Sequence, residues 1–478
     1  MIKKLTLHNF KAFQNTGQLD IKPMTILAGA NSSGKSSILQ SLLLLKQTVE
    51  IDPIHSNLNL DGRYVQVSGI DELTFNKPSR TECEIGFDFE LQGSGFVGKR
   101  FLERHFPRFK IQEGRRYRLQ GDISIRFRYH KFGEEKYKVG VNRFEIRTRI
   151  DDTEGPKLTI NYWGGRYRFD FKGSGLTNPK PGEGKEIIDL FLIHFVPYQY
   201  IVKTKGEKRA EFVKFDDVFE IITRALMREL QNLRFLGPLR EIPRRAYLHS
   251  GTTFPEIGQR GEYAAQILWL ERNTKIEYIK KLGQKAKTMN LLEAVGEVFK
   301  DMGIIQPIDV SSSKRIVYQI LFGIQSSNTK KSVTIADVGF GISQLLPIIV
   351  MGLTAPRDSL LLYEQPEIHL HPRLQANLAD FLLRLSAQGK RIMVETHSEH
   401  FIHRIRRRIV EDDSDRIMKD VNILFTHQPS KKRAAKIEAL KVDRYGIIEN
   451  WPEDFFPESA DEAASILRKG IEKRSIKK

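Results

Sequence analysis

Three hydrophobic patterns succeed one another along the chain. At its start, Ile2-Lys3-Lys4-Leu5-Thr6-Leu7 and Gly17-Gln18-Leu19-Asp20-Ile21 alternate apolar with polar residues, which predicts a β-hairpin with Asn9-Phe10-Lys11-Ala12-Phe13 at its turn. The apolar run Met24-Thr25-Ile26-Leu27-Ala28 predicts a core strand, and Ser37–Leu45 predicts a helix. Period-two alternation returns in Glu84–Leu91, Ile123–Tyr129, Arg143–Arg147 and Leu158–Trp163, the pattern of antiparallel strands with one buried face. In the second of these, Ile125, Phe127 and Tyr129 fall on one face, and Arg126, Arg128 and His130 on the other. Residues 173–210, rich in Gly, Pro and Lys, read as a loop or junction. Within them the apolar run over residues 186–198 fits a short helix or a buried strand equally well.

Helical patterning resumes over Phe215–Leu230, a strand runs into Gly237-Pro238-Leu239-Arg240, and helical segments are expected to continue to about Met302. Strands near 316–321 and 331–335 lead to a glycine-rich turn, Asp337–Gly341, that opens an apolar helix. Two further core strands follow: Leu360–Tyr363, which runs into Glu364, and Ile392–Glu395, which runs into Thr396-His397-Ser398. Then come the basic helix Phe401–Arg408 and a strand over Val421–Thr426. The expected fold class is α/β, a mixed sheet flanked by helices with an inserted antiparallel β-rich and helical region. The expected divisions are residues 1–75, 76–230, 231–310 (a helical region) and 311–478. Sustained heptads, internal repeats and low-complexity tracts are not found, so a long coiled-coil arm is not expected. No window of 18 apolar residues predicts a membrane span, and Met1–Leu5 lacks the apolar stretch of a signal peptide.

Chemistry enters with Gly29-Ala30-Asn31-Ser32-Ser33-Gly34-Lys35-Ser36, which reads G-x-x-x-x-G-K-S between a strand and a helix. Glycines at both ends permit a tight loop whose N–H groups face inward, and the helix start adds partial positive charge at the same point. Asn31, Ser32, Ser33, Gly34, Lys35, Ser36 and Ser37 are therefore candidate nucleotide contacts, with Lys35 on the β- and γ-phosphates of ATP and the Ser36 hydroxyl on Mg²⁺. A carboxylate at the end of a core strand beside such a loop holds the Mg²⁺ shell, and Glu364 stands there.

Composition sharpens the partner classes. The 478 residues carry a net charge of +18, which favours a polyanionic partner, DNA or RNA, and arginines on the alternating strands offer a phosphate-tracking face. The single cysteine, Cys83, rules out an intrachain disulfide and fits a cytoplasmic location.

The N-F-K-x-F turn some twenty residues before the phosphate loop resembles the ATP-binding-cassette heads of SMC, RecF and overcoming-lysogenization-defect (OLD) proteins. G-A-N-S-S-G-K-S, G-P-L-R-E-x-P-R-R, D-V-G-F-G-I-S-Q, E-Q-P-E-I-H-L-H-P and E-T-H-S-E, in that order, are similar to head-only members of the OLD-like group. The PtuA ATPases of the Septu antiphage system and retron-associated relatives are the most alike. The resemblance implies that Gly341, Ser343 and Gln344 form a signature element addressing the γ-phosphate of an opposing copy. It implies that Gln66 joins Mg²⁺ and that His397 is the switch histidine. The usual catalytic glutamate is replaced by Gln365, which cannot accept a proton, leaving Glu367 as the candidate base. It further implies a slow ATPase forming a head-to-tail dimer or higher homo-oligomer and governing a separate HNH nuclease. No Toprim-like cluster of metal-binding acids is read after His397, so no intrinsic nuclease is expected. The alternatives are a RecF-like DNA-repair ATPase and a non-hydrolysing module held together by ATP.

Overall fold

The computed structural model describes residues 1–452 except 52–57, 76–81, 92–95, 113–114, 133–135, 152, 164, 174–184, 205–209, 250, 305–306, 314–316, 327–328, 430–433 and 451. The Lys-rich end of the sequence lies outside the described residues.

At the centre is a six-stranded sheet in the order Arg234–Leu236, Leu360–Glu364, Arg391–Glu395, Met24–Gly29, Val421–His427 and Lys436–Leu440. The first five strands run parallel and the last antiparallel. Burial on both faces explains why Met24–Ala28, Leu360–Tyr363 and Ile392–Val394 are so largely apolar. The helix Lys35–Val49 buries Ile38, Leu39, Leu42 and Leu43 in one core cluster, shared with the inserted strands. The helix Phe340–Thr354 packs in a second cluster with Met24 and Ile26. The phosphate-loop strand thus lies between two cores.

The inserted strands do not make a separate module. They extend the sheet begun by the first hairpin, in the order Arg166–Lys172, Thr153–Trp163, Lys136–Ile150, Gln120–Phe132, Cys83–Glu90, Ile2–Phe10 and Phe13–Asp20. Leu5 pairs with Phe87 and Ile85 with Ile125, so the buried faces continue from one strand to the next. The apolar run near residue 190 is strand: Lys185–Ile193 pairs antiparallel with Val196–Thr204, and Ala210–Lys214 joins them. Residues 173–210 therefore hold two strands of a three-stranded sheet and the start of the third, with Leu190, Phe195 and Tyr200 buried. Residues 231–310 hold less helix than expected. The helices Ala264–Glu271 and Leu291–Asp301 are separated by the hairpin strands Lys275–Tyr278 and Lys287–Asn290. The capping box of Asn290 and Glu293 starts the second helix. Among the described residues, no helix is long and apolar enough to cross a membrane.

The arginine-bearing strands differ from the expected phosphate-tracking face. Arg126 pairs with Glu84 at 2.7 Å, and Arg128 lies 3.9 Å from Glu82. Arg143, Arg147 and Lys157 converge on Glu145, and Arg149 reaches Asp88 and Asp122. Cross-strand register places acids among the bases, so the face is a ladder of ion pairs. His130 is not on the open face: it is buried, with its ring stacked on Tyr162 at 3.9 Å.

Candidate nucleotide-binding and hydrolysis site

The phosphate loop joins the end of Met24–Gly29 to the helix Lys35–Val49, and close approaches fix its shape. A Cβ on Gly29, whose φ is 136°, would collide with the Thr426 carbonyl oxygen. A Cβ on Gly34, at φ 100°, would lie 2.8 Å from Ala12 and 3.0 Å from the Phe13 ring. The tip of the first hairpin therefore braces the loop, and only glycine satisfies both the backbone angle and the space at Gly34. Asn31 and Ser32 are exposed. The Ser33 side chain is fully buried and its hydroxyl lies 2.5 Å from Thr426 Oγ1. What Ser33 can offer a phosphate is its backbone N–H. The Lys35 ammonium donates to the carbonyls of Gly29 at 3.0 Å and Ala30 at 2.6 Å. Burial pulls its pKa down, opposed by the charges of Glu395 and Glu367. Ser36 and Ser37 lie in the first helical turn, where N–H groups have no intrahelical acceptor.

Two carboxylates face this turn. The parallel register sets Glu364 directly opposite Glu395, and Glu395 opposite Leu27 on the phosphate-loop strand. Ser36 Oγ donates to Glu395 Oε1 at 3.1 Å. Burial and then the neighbouring Glu364 charge push Glu395 up to about 7, and burial raises Glu364 as well. Glu395 Oε2 is buried without a hydrogen-bond partner. Hard oxygen donors, two acids short of a full shell, suit Mg²⁺, which completes its coordination with substrate phosphates and water. Ser36, Glu364 and Glu395 are the residues that would hold it. Among the described residues there is no group of three or more His, Cys, Asp or Glu placed to bind a metal unaided. Asp413-Ser414-Asp415 does carry D-x-D spacing, but in the turn before the short helix Arg416–Asp420.

The turn after Glu364 places the remaining candidates. Gln365 adopts φ 44°, an uncommon angle for a side-chain-bearing residue, and its N–H donates to the Glu395 carbonyl at 2.8 Å. Glu367 is buried, and its Oε1 accepts the His397 N–H at 2.7 Å, while Oε2 has no partner. Burial raises the Glu367 pKa. Burial and the Lys35 charge push His397 down to about 4, so its imidazole is neutral at physiological pH. The structure thus brings Lys35, Ser36, Glu364, Glu367 and His397 to one place.

A family model described as an AAA ATPase domain matches residues 1–402. The chain belongs to the AAA ATPase domain family. A second model, described as a protein of unknown function (DUF3696), matches residues 418–466. No curated protein matches the chain. Among solved structures, the SmcHead bound to the C-winged helix domain of ScpA shares 14% identity, covering 93% of this chain and 98% of that one at a TM-score of 0.45. The SMC head domain from Thermotoga maritima shares 10%, covering 92% and 99%, at 0.36. The Smc head domain with an extended coiled coil, bound to the C-terminal domain of ScpA and derived from Pyrococcus furiosus, shares 13%, covering 98% of each chain, at 0.42.

Other expected residues of this AAA ATPase domain stand apart from the acidic pair. Gln66 is exposed, in an isolated bridge with Asp61, and no hydrogen bond joins it to the loop among the described residues. Ser343 turns inward at the start of Phe340–Thr354: it is buried, and its hydroxyl donates to the Phe340 carbonyl at 2.7 Å. An outward-facing serine is not what this chain presents, because the i−3 carbonyl of the same helix takes its proton. Gln344 is buried with Nε2 unpartnered. Gly341 packs so closely that a Cβ there would lie 2.7 Å from the His369 carbonyl oxygen. Gly339 and Phe340 form the exposed rim of the element, with Phe340 45% exposed.

Two site residues in the AAA ATPase domain escape sequence reasoning. Glu395 ends an apolar strand, as many structural acids do, and only the parallel register sets it against Glu364. Arg240 stands among three arginines in a Gly-Pro turn, and nothing in the local pattern distinguishes the buried one.

Proposed function

We infer that this chain binds MgATP, hydrolyses it slowly, assembles head-to-tail with further copies about the bound nucleotides, and so governs a separate nuclease in bacterial antiphage defence. The observation that carries the enzymatic part is the pairing of Glu364 with Glu395 over Ser36, with Gln365 next in line and Glu367 behind it. Lys35 and the first-turn N–H groups address the phosphates, and the neutral His397 offers a hydrogen bond without adding charge. Mg²⁺, when bound, neutralises charge developing on the phosphoryl oxygens. Gln365 can orient a water but not deprotonate it, so proton removal falls to Glu367, a buried carboxylate with a free oxygen. The defence role and an HNH-type partner, in the manner of Septu, rest on the five ordered motifs shared with head-only OLD-like ATPases.

Single-turnover hydrolysis tests the enzymatic reading. Lys35→Ala should lose ATP binding, Glu367→Gln should slow hydrolysis by about 10²-fold or more, and Gln365→Glu should accelerate it. Fast wild-type turnover that ignores Glu367→Gln would remove both the slow-ATPase reading and the base. Purification together with the product of the neighbouring gene tests the partner. An adjacent nuclease that neither binds the chain nor responds to its nucleotide state counts against the defence reading.

A further inference from the structure

Arg240 is only 5% exposed, yet among the described residues its guanidinium makes a single hydrogen bond, from Nη2 to the Gln365 carbonyl at 3.2 Å. Its Nε and Nη1 are buried with no partner, and among the described residues no carboxylate lies within 4.0 Å to pair with it. Burying an unpaired charge is costly, which is why a buried arginine ordinarily has a carboxylate beside it. Two others in this chain have a carboxylate partner, although the Nε of each is buried without an acceptor. Arg384 reaches the Lys280 carbonyl and Asp301, and Arg391 reaches the carbonyls of Ile2 and Asp358 as well as Glu229.

Where Arg240 sits explains the difference. Four residues past the edge strand Arg234–Leu236, it reaches the turn that leaves the neighbouring acidic strand. That turn contains Gln365, held at φ 44°, and leads to Glu367, whose carboxylate is close enough to act on the Arg240 charge. Glu367 Oε2 lacks a donor while Arg240 has two to spare. A left-handed angle at a side-chain-bearing residue persists only where its surroundings impose it. Here the Gln365 N–H is held by the Glu395 carbonyl, and the Gln365 carbonyl takes the Arg240 guanidinium at 3.2 Å and the Ile368 N–H at 3.3 Å.

We propose that Arg240 is a positioning residue for hydrolysis: it clamps the Gln365 carbonyl so that the turn delivers Glu367 beside His397, and its spare N–H groups favour negative charge there. This rests on the reading of Glu367 as the base. Arg240 itself touches neither Lys35 nor Ser36 by any hydrogen bond among the described residues, so its effect falls on turnover and not on nucleotide binding.

The test is single-turnover hydrolysis and ATP calorimetry on the full chain carrying Arg240→Ala, Arg240→Lys and, as reference, Glu367→Gln. Arg240→Ala should lose about 10²-fold in rate while ATP affinity stays within about threefold. Millimolar guanidinium should restore part of the Arg240→Ala rate and none of the Glu367→Gln rate, and Arg240→Lys should fall between Arg240→Ala and wild type. A wild-type rate in Arg240→Ala overturns the proposal. So does a joint loss of rate and ATP affinity that guanidinium does not rescue and Arg240→Lys shares, since that marks a purely structural role. If Glu367→Gln hydrolyses normally while Arg240→Ala is slow and rescued, the base assignment falls and the clamp on the Gln365 turn stands.

Discussion

At the scale of single residues, Glu395 is the most consequential. It lies between the Ser36 hydroxyl and the Glu364 carboxylate, and in the folded chain the two acids disfavour one another's ionisation. Glu395→Gln should remove that repulsion while deleting a metal ligand. Calorimetry should then show ATP affinity in the presence of Mg²⁺ reduced by about 10- to 100-fold, with little change in its absence. Equal losses with and without Mg²⁺ would mean that Glu395 shapes the loop and does not hold the ion. The sequence made Lys35, Ser36, Glu364 and His397 legible because each occupies a fixed place in a short motif. It left Glu395 and Arg240 obscure because their roles arise from strand neighbours distant in the chain. The engagement of the Ser33 and Ser343 hydroxyls was hidden for a related reason. A hydroxyl in a motif reads as available, yet Thr426 and the Phe340 carbonyl claim these two.

At the scale of elements, the alternation in residues 84–163 identified the strands and their buried faces, but not the content of the outer face. Arg126, Arg143 and Arg147 stand out in sequence, while Glu84 and Glu145 look incidental until register sets them opposite. Burial raises the Glu145 pKa, but hydrogen bonds from Arg143, Arg147 and Lys157 outweigh it and bring the group from 4.5 to about 2. A carboxylate depressed on folding contributes stability above its unfolded pKa and loses it as pH falls through the folded value. Glu145→Gln should therefore destabilise the chain at pH 7, by of order 1 kcal/mol because Arg147 is solvent-exposed and screened. The gap between variant and wild type should close as pH falls from about 4.5 to about 2. Denaturation midpoints across that range provide the check, and a gap independent of pH would assign the effect to packing. The run near residue 190 shows the opposite difficulty. Its apolar residues fit two periods, and pairing with Val196–Thr204 decided for strand.

At the scale of the whole molecule, the net charge of +18 is distributed differently from the first expectation. If nucleic acid binds, the paired ladder is a poor place for it, because each phosphate must displace a carboxylate already in contact. Combined replacement of Arg126, Arg128 and Arg147 should leave the log–log salt slope of DNA or RNA binding unchanged, against a drop of roughly 2–3 if all three met phosphates. Assembly is tested at the rim and not at Ser343, where a larger residue would be forced into a buried helix start and failure to assemble would be uninformative. Phe340 is the exposed residue of the same rim. Phe340→Asp should abolish ATP-dependent association in sedimentation while the monomer still binds ATP. Association unaltered by that change would place the interface elsewhere.

The loop that would hold the nucleotide also carries a consequence for how the protein is made. Among the described residues the strand Met24–Gly29 has Arg391–Glu395 and Val421–His427 as its neighbours, and Ser33 meets its partner Thr426 across 393 positions of sequence. On a translating ribosome the interval between those two residues is about 20 to 80 s at ~5–20 residues per second. Until residues 391–395 are made the nascent chain carries an apolar strand open on both edges, and until residue 421 one edge stays open, a hazard that a holdase chaperone would have to cover. The same delay is a safeguard. A fragment released before residue 426 lacks the threonine that shapes the loop, so truncated products should not retain ATP or compete with finished copies for assembly.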